Sequence, residues 1–118
     1  MDELTQLDCE ECAGKAKLLC PSEIISLLYQ VPDWDLAVEV EEEEEKLTRV
    51  FKIRKYAQAL KFTNVIAELA ESEGHHPQIL LEYGQVSVAW WTHTLNGLHI
   101  NDFILAARTT KIFAADYV

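Results

Sequence analysis

The sequence predicts a single α+β domain, in which three helices pack on one face of a four-stranded antiparallel sheet. Segments of helical and strand character follow one another in the order helix, strand, strand, helix, strand, strand, helix. Short connections join the strands in pairs, which favours hairpins over parallel crossovers. A chain of 118 residues can bury one core but is too short for two.

The first helix is predicted to begin at Pro21, with Ser22 as its capping hydroxyl, and to end near residues 31–32. Apolar residues follow the cap at helical spacing: Ile24, Ile25, Leu27 and Leu28. Residues 1–20 carry little periodic pattern. We therefore expect an irregular N-terminal leader at 1–20, followed by the folded domain at 21–118.

The first hairpin is predicted from Trp34 onward. Apolar residues there alternate with polar ones at Leu36, Val38 and Val40, which is the period of a half-buried strand. A second strand, rich in β-forming residues, follows at 46–53. Five consecutive glutamates at 41–45 separate the two strands, and we expect this run to be a solvated loop at or near the hairpin tip.

The rest of the chain continues the same order. A long helix is predicted at 55–72, with apolar positions that include Tyr56, Leu60, Val65, Ile66 and Leu69. Gly74 and Pro77 end this helix. Two strands follow at about 78–83 and 85–93, and a last helix runs from residue 100 or 101 to 115.

Charge and composition exclude several classes of function. A net charge of -10 argues against binding nucleic acid through its phosphates. No apolar run is long enough to cross a bilayer, so we expect no membrane association. The N-terminal residues lack the basic and apolar regions of a signal peptide, and the expected location is the cytoplasm.

The three cysteines, Cys9, Cys12 and Cys20, are an odd number, which argues against a disulfide framework. Cys9 and Cys12 form a Cys-x-x-Cys pair. A zinc site needs four ligands, and no histidine precedes position 75. A redox pair is expected at the start of a helix after a strand, and no strand is predicted before residue 9. We therefore expect the cysteines to lie in a loose arm and assign them no role.

The second hairpin is predicted to bring histidines together. If residues 84–85 form a type II′ turn, paired residue numbers sum to 169 and His76 lies opposite His93. Pro77 interrupts the ladder there, so the prediction is proximity rather than a hydrogen-bonded pair. In this register one face is apolar and suits the core: Ile79, Leu81, Tyr83, Val86, Val88 and Trp90.

The opposite face is too polar for a core, yet it carries Trp91 beside His93. A flat ring that stacks on Trp91 would have imidazoles at its edge. Neighbouring imidazoles can supply an acid and a base at the same pH. The spacing alone leaves three interpretations open: an acid–base site, a metal site with an open position, and no site. Side chains of adjacent residues alternate faces in a strand, which weakens the case for His75 and His76 sharing one metal ion.

A longer pattern resembles the signature of the pterin-4a-carbinolamine dehydratase family. It comprises an acidic residue, His-His-Pro, an aromatic residue, a further histidine and an aspartate, in register across about thirty positions. These residues are Glu71, His75, His76, Pro77, Tyr83, Thr92, His93 and Asp102. The resemblance extends from about residue 21 to 113, and Trp34 matches the tryptophan that opens the family's first strand.

This resemblance implies a four-stranded antiparallel sheet with three helices, assembled as a homodimer or homotetramer. It implies a lyase that needs no metal and no organic cofactor. The substrate would be the pterin-4a-carbinolamine that an aromatic amino acid hydroxylase leaves behind. The products would be quinonoid dihydropterin and water. The alternative is a dimerisation or regulatory module on the same fold, in which catalysis is incidental.

The resemblance also implies roles for individual residues. His75 and His93 would be the acid–base pair, His76 would bind and orient the substrate, and Glu71 would orient a histidine. The substrate pocket would include these histidines together with flanking residues: Pro77, Trp91, Thr92 and Thr94.

Asp102 lies at the predicted start of the last helix, where a carboxylate complements the helix dipole. We expect it to have a structural or orienting role. The family usually has Ser or Thr three residues earlier, as part of a capping box. Here that position is His99, which we expect on the surface, with Asn101 as the substitute cap.

Overall fold

The computed structural model describes residues 19–39, 44–93 and 97–117. Its elements are α1 (Pro21–Leu28), β1 (Asp35–Glu39), β2 (Glu44–Lys52), α2 (Tyr56–Glu73), β3 (Gln78–Glu82), β4 (Gln85–Trp90) and α3 (Ile100–Asp116). The strands form one antiparallel sheet in the order β1-β2-β4-β3. The predicted fold class is therefore confirmed. Within the described ranges, no helix is long and apolar enough to cross a membrane.

Some predictions fall outside the described residues. They concern residues 1–18, which include Cys9 and Cys12, Val40 with residues 41–43 of the glutamate run, and Thr94. The last two glutamates of the run, Glu44 and Glu45, begin β2.

The core lies between the sheet and the helices. Alternate residues of β2 and β4 face it: Leu47, Phe51, Val86, Val88 and Trp90. The buried stripe of α2 consists of Ala59, Phe62, Ile66 and Ala70. Of the apolar positions predicted for this helix, Ile66 lies in the stripe, whereas Tyr56 and Leu60 lie beside it and are exposed.

An aromatic cluster fills the part of the core next to the beginning of α2 and the end of α3. The ring centroid of Phe51 lies 4.9 Å from those of Phe62 and Phe113, and 5.8 Å from that of Trp34. Arg49 covers this cluster, with its guanidinium carbon 4.4 Å from the Phe51 centroid. Burial lowers the pKa of the Arg49 guanidinium, and the charge of Asp33 partly opposes that shift.

The β3–β4 hairpin has a different register from the predicted one. Its turn consists of Tyr83 and Gly84, Glu82 pairs with Gln85, and paired residue numbers sum to 167. Gly84 takes the second central position with φ +89°, a conformation that favours glycine. Tyr83, expected in the core, is therefore at the turn and 84% exposed. The observed pairs end at Gln78 and Ala89, so the ladder includes neither His76 nor His93.

Both ends of α1 and the end of β4 also differ from the prediction. The N-cap of α1 is Cys20 rather than Ser22, and the Glu23 carboxylate accepts a hydrogen bond from the Cys20 N–H at 3.0 Å. Pro21 occupies the first helical position, where its missing N–H costs nothing. The helix ends at Leu28 rather than near residues 31–32, and β4 ends at Trp90 rather than at residue 93.

Candidate active site

A group of buried polar side chains lies where α2 ends, β4 ends and α3 begins. It includes His75, Thr92, His99 and Asp102, each at most 7% exposed. Buried polar groups are costly unless they are hydrogen-bonded, so their partners indicate what the site is built to hold.

The turn at Gly74 separates the two adjacent histidines. Gly74 ends α2 in the left-handed conformation, with φ +63°. The His75 N–H donates to the Ala70 carbonyl at 3.1 Å, which fixes the backbone after the turn. The His75 side chain is 7% exposed and the His76 side chain is 62% exposed. Consecutive imidazoles therefore occupy a buried and a solvated environment.

Asp102 is the centre of the buried group. Its Oδ1 accepts a hydrogen bond from His75 Nε2 at 2.6 Å. Its Oδ2 accepts from the Thr92 hydroxyl at 2.8 Å and from the His99 backbone N–H at 2.9 Å. Because an ionised carboxylate only accepts, this geometry places a proton on Nε2 of His75. The carboxylate also lies in the first turn of α3, where the helix dipole stabilises negative charge.

Trp90 supports the His75 ring. The two rings are stacked, with centroids 5.9 Å apart and planes inclined by 19°. The Trp90 indole N–H donates to the Thr109 hydroxyl of α3 at 3.2 Å. The imidazole of His75 is thus fixed by stacking on Trp90 at its face and by the hydrogen bond to the Asp102 carboxylate at its edge.

The second imidazole, His76, pairs with Glu71 near the end of α2. Its Nε2 lies 2.9 Å from Glu71 Oε1, and both side chains are exposed. The histidine that Glu71 contacts is therefore His76; its predicted orienting role stays a prediction.

The third imidazole, His93, lies beside His76 through a contact that the sequence did not predict. Its Nε2–H donates to the His76 carbonyl oxygen at 3.1 Å. The predicted proximity is present, although the register from which it was derived is wrong. The carbonyl only accepts, so Nδ1 of a neutral His93 is left as a proton acceptor.

Trp91 lies behind His93. The centroids of their rings are 4.3 Å apart, and the Lys46 ammonium lies 4.2 Å from the Trp91 centroid. Trp91 is only 8% exposed, and within the described part of the chain its buried indole N–H has no hydrogen-bond partner. A flat ligand that stacks on Trp91, as the sequence suggested, would have to displace one of these neighbours.

His99 corrects a second expectation. It was expected on the surface, with Asn101 as the cap of the last helix, yet it is 3% exposed and is itself the N-cap of α3. Its Nδ1 accepts a hydrogen bond from the Asn101 N–H at 3.2 Å. Histidine is not one of the usual capping residues, so the residue type alone did not predict a helix cap at this position. The spacing to Asp102, which is that of a capping box, was the available signal.

The remaining predicted residues lie around this group. Pro77 is half-buried and precedes β3, and Thr92 is buried and forms an isolated bridge with Gly97. Among the described residues, no three or more His, Cys, Asp or Glu side chains are grouped as ligands of a metal ion. Besides the capping imidazole of His99, the arrangement contains three imidazoles, two of them paired with carboxylates. Fold and site together describe an α+β domain with a candidate acid–base site.

Comparison with known proteins identifies the family. The family described as Pterin 4 alpha carbinolamine dehydratase matches residues 17–112. A protein of Marinobacter nauticus is 49% identical over 113 residues, covering 96% of this chain and 100% of its own length. A protein of Nitrosococcus oceani is 50% identical over 113 residues, covering 95% of this chain and 97% of its own. Both are named provisionally as pterin-4-alpha-carbinolamine dehydratases.

A solved structure from Brucella melitensis, described as a transcriptional coactivator/pterin dehydratase, superposes with a TM-score of 0.73 and 29% identity. The match covers 81% of this chain and 98% of that one. The chain belongs to the pterin-4a-carbinolamine dehydratase family. The resemblance seen in the sequence is thereby confirmed, as is the prediction of an enzyme of the dehydratase class.

Proposed function

We propose that this protein dehydrates a pterin-4a-carbinolamine to quinonoid dihydropterin and water, by acid–base catalysis at His75, His76 and His93. The observation that carries the proposal is the difference between the hydrogen-bond partners of the three imidazoles. His75 faces a buried carboxylate, His93 faces a neutral carbonyl, and His76 faces an exposed carboxylate.

These partners support different proton-transfer roles. The 4a-hydroxyl leaves as water only if an acid protonates it, while a base removes the proton from N5 of the pterin. Asp102 is a charge partner for an imidazolium at His75, whose Nδ1–H would then be the acid. His93 donates through Nε2, so its Nδ1 lone pair would be the base. His76, exposed and paired with Glu71, would orient the substrate.

The surrounding residues complete the proposal. Pro77, Trp91, Thr92 and Thr94 flank the imidazoles in the sequence and would contribute to the pterin pocket. The reaction would serve an aromatic amino acid hydroxylase, because it consumes the carbinolamine that such an enzyme leaves behind. We further propose a cytoplasmic homo-oligomer.

The test is a dehydration assay with the carbinolamine generated in situ by a hydroxylase. We expect the protein to accelerate dehydration, and His75→Ala and His93→Ala each to lower kcat by roughly a hundredfold or more, the usual contribution of an acid or base. Glu68→Gln, an exposed change on α2 outside the site, is the matched control and should keep the full rate.

Circular dichroism of each variant separates loss of chemistry from loss of fold. A wild-type rate equal to that of buffer would refute the enzyme proposal. Full activity of both histidine variants would mean that other residues carry out the acid–base chemistry. A dimerisation or regulatory module would instead keep its assembly or partner binding in both variants, since it does not need the imidazoles.

A further inference from the structure

His99 is a buried imidazole that the proposed dehydration does not use. Its side chain occupies the N-cap of α3, a position where a hydroxyl or carboxylate oxygen normally accepts a backbone N–H. The backbone of His99 is extended, with φ -124° and ψ 163°, as an N-cap requires. The ring nitrogen Nδ1 takes the place of the oxygen and accepts the Asn101 N–H at 3.2 Å.

This use of the ring fixes its protonation. A nitrogen that accepts a hydrogen bond must carry a lone pair, so the cap needs a neutral imidazole with its proton on Nε2. An imidazolium, or the tautomer with the proton on Nδ1, would present a donor to the donor of Asn101. The cap therefore specifies one of three states of the His99 ring.

The same residue reaches the candidate active site through its backbone. The His99 N–H donates to Oδ2 of Asp102 at 2.9 Å, and Oδ1 of that carboxylate accepts from His75 at 2.6 Å. His99 and Asp102 thus form a capping box, and the Asp102 carboxylate of that box also holds the His75 imidazole.

The segment before His99 is tied to the residues that follow β4 and lead to His93. Thr92 and Gly97 form a bridge, in which the Thr92 N–H donates to the Gly97 carbonyl at 2.8 Å. The Thr92 hydroxyl meets the His99 N–H on the same oxygen of Asp102. The position of His99 therefore sets where α3 begins relative to both His75 and the end of β4.

We propose that His99 is a positioning residue for the dehydration, whose neutral imidazole caps α3 and so holds Asp102 against His75. This inference rests on the proposed function for its effect on rate, and on geometry alone for the state of the ring. His99 does not contact the reacting atoms. It acts through the orientation of the carboxylate.

The first experiment needs no variant. Long-range ¹H–¹⁵N correlation spectra of the uniformly ¹⁵N-labelled protein distinguish the two neutral tautomers of each histidine from the imidazolium. We expect His99 as the neutral tautomer protonated on Nε2. We expect the Nε2 proton of His75 far downfield, as a short hydrogen bond to a carboxylate requires. An imidazolium or an Nδ1-protonated ring at His99 would overturn the proposal.

The second experiment compares His99→Ala with His99→Ser, which restores a capping oxygen. A misplaced carboxylate should lower kcat about tenfold in His99→Ala with KM changed less than about twofold, because orientation rather than binding is disturbed. His99→Ser should recover most of kcat, and the downfield His75 signal should weaken in the first variant and return in the second.

The outcomes separate the two proposals. A lower melting temperature of His99→Ala with kcat and the His75 signal unchanged would make His99 a structural cap only, and refute the positioning role. A wild-type protein without dehydratase activity would refute the proposed function, while the tautomer and the His75 signal would still test His99. If His99→Ala does not fold, the tautomer of His99 in the wild-type protein still tests the state of the ring. The kcat and the His75 signal of His99→Ser, compared with those of the wild type, then test the positioning role.

Discussion

The two ends of the helix layer bury different chemistry between the same elements. Where α2 begins and α3 ends, the space beneath them is filled by aromatic rings around Phe51. Where α2 ends and α3 begins, it is filled by His75, Asp102 and Thr92. The first end is held by apolar area and ring contacts, which tolerate small shifts. The second is held by directional hydrogen bonds to one carboxylate, which do not.

This difference explains where a site can be built on a small domain. The aromatic end contributes stability whatever its rings contact. The polar end fixes side chains in one orientation, and the helix termini there suit its charges: a carboxylate at the start of α3 and an imidazole just beyond the end of α2. Variants at the two ends should therefore separate stability from activity.

The largest effect is expected at the aromatic end. Phe51→Ala removes the ring that contacts Phe62, Phe113 and Trp34, and should lower the free energy of unfolding by roughly 3–5 kcal/mol. Urea denaturation followed by circular dichroism measures this loss. The specific activity of the folded variant should stay within about twofold of wild type, since no site residue is touched.

Val50→Ala is the matched control, because its side chain is on the other face of β2 and half exposed, and it should cost less than about 0.5 kcal/mol. A loss of specific activity in Phe51→Ala as large as that of the site variants would mean that the two ends are coupled.

Asp102→Asn should show the opposite balance. The amide keeps the shape but cannot accept from Thr92, His75 and His99 together with the strength of a carboxylate, and an unsatisfied buried donor costs about 1–3 kcal/mol. The dehydration rate should fall roughly a hundredfold, because His75 loses its charge partner. Denaturation and the in situ assay measure the two effects.

Asp116→Asn, an exposed change at the other end of α3, serves as control and should alter neither quantity. An Asp102→Asn enzyme with the wild-type rate would show that the carboxylate has only the structural role of a cap.

Gly74→Ala tests the turn between α2 and His75. A Cβ at this position meets nothing within 4 Å, so the cost is that of a side chain in the left-handed conformation, about 1 kcal/mol. Thermal denaturation measures it. Gly74→Asn should cost less, because asparagine adopts this conformation more readily. Equal losses in the two variants would point to a cause other than backbone conformation.

Glu71→Gln should have the smallest effect. Its pair with His76 is exposed, and such pairs contribute about 0–1 kcal/mol to stability. We expect a fall in the dehydration rate of about threefold or less, which added salt should diminish because salt already screens the wild-type pair. Initial rates at low and high salt measure it, with Glu68→Gln as control. A large loss that salt does not change would give Glu71 a direct part in proton transfer.

The sequence predicted the core-facing residues of the second hairpin correctly except for Tyr83, which lies at the turn, while the predicted register was wrong. Alternation determines which side chains face the core, and a shift of the pairing by two residues preserves that alternation. The burial pattern of Val86, Val88 and Trp90 is therefore the same in both registers. Gly84 has a positive φ in either turn, at the first central position of the predicted type II′ turn or at the second of the observed one, so neither this glycine nor the apolar spacing distinguishes a turn at 84–85 from one at 83–84.

The site was predictable as a set of residues and not as a set of contacts. Glu71, His75, His76, His93 and Asp102 were singled out because their pattern resembles the family signature, whereas their spacing alone left three interpretations open. Which carboxylate faces which imidazole depends on the αL turn at Gly74, which turns one histidine inward and the other outward. The burial of His99 could not be predicted from its residue type, because an imidazole seldom caps a helix.

The left-handed turn at Gly74 has a consequence for how this chain can vary. The turn fixes which position after α2 points inward and which points outward. A single inserted or deleted residue after Gly74 would therefore exchange the environments of neighbouring side chains. The two histidines look like a repeated residue, yet they are not interchangeable. Substitutions at position 75 are constrained by Trp90 and Asp102, whereas those at position 76 are constrained by solvent and Glu71.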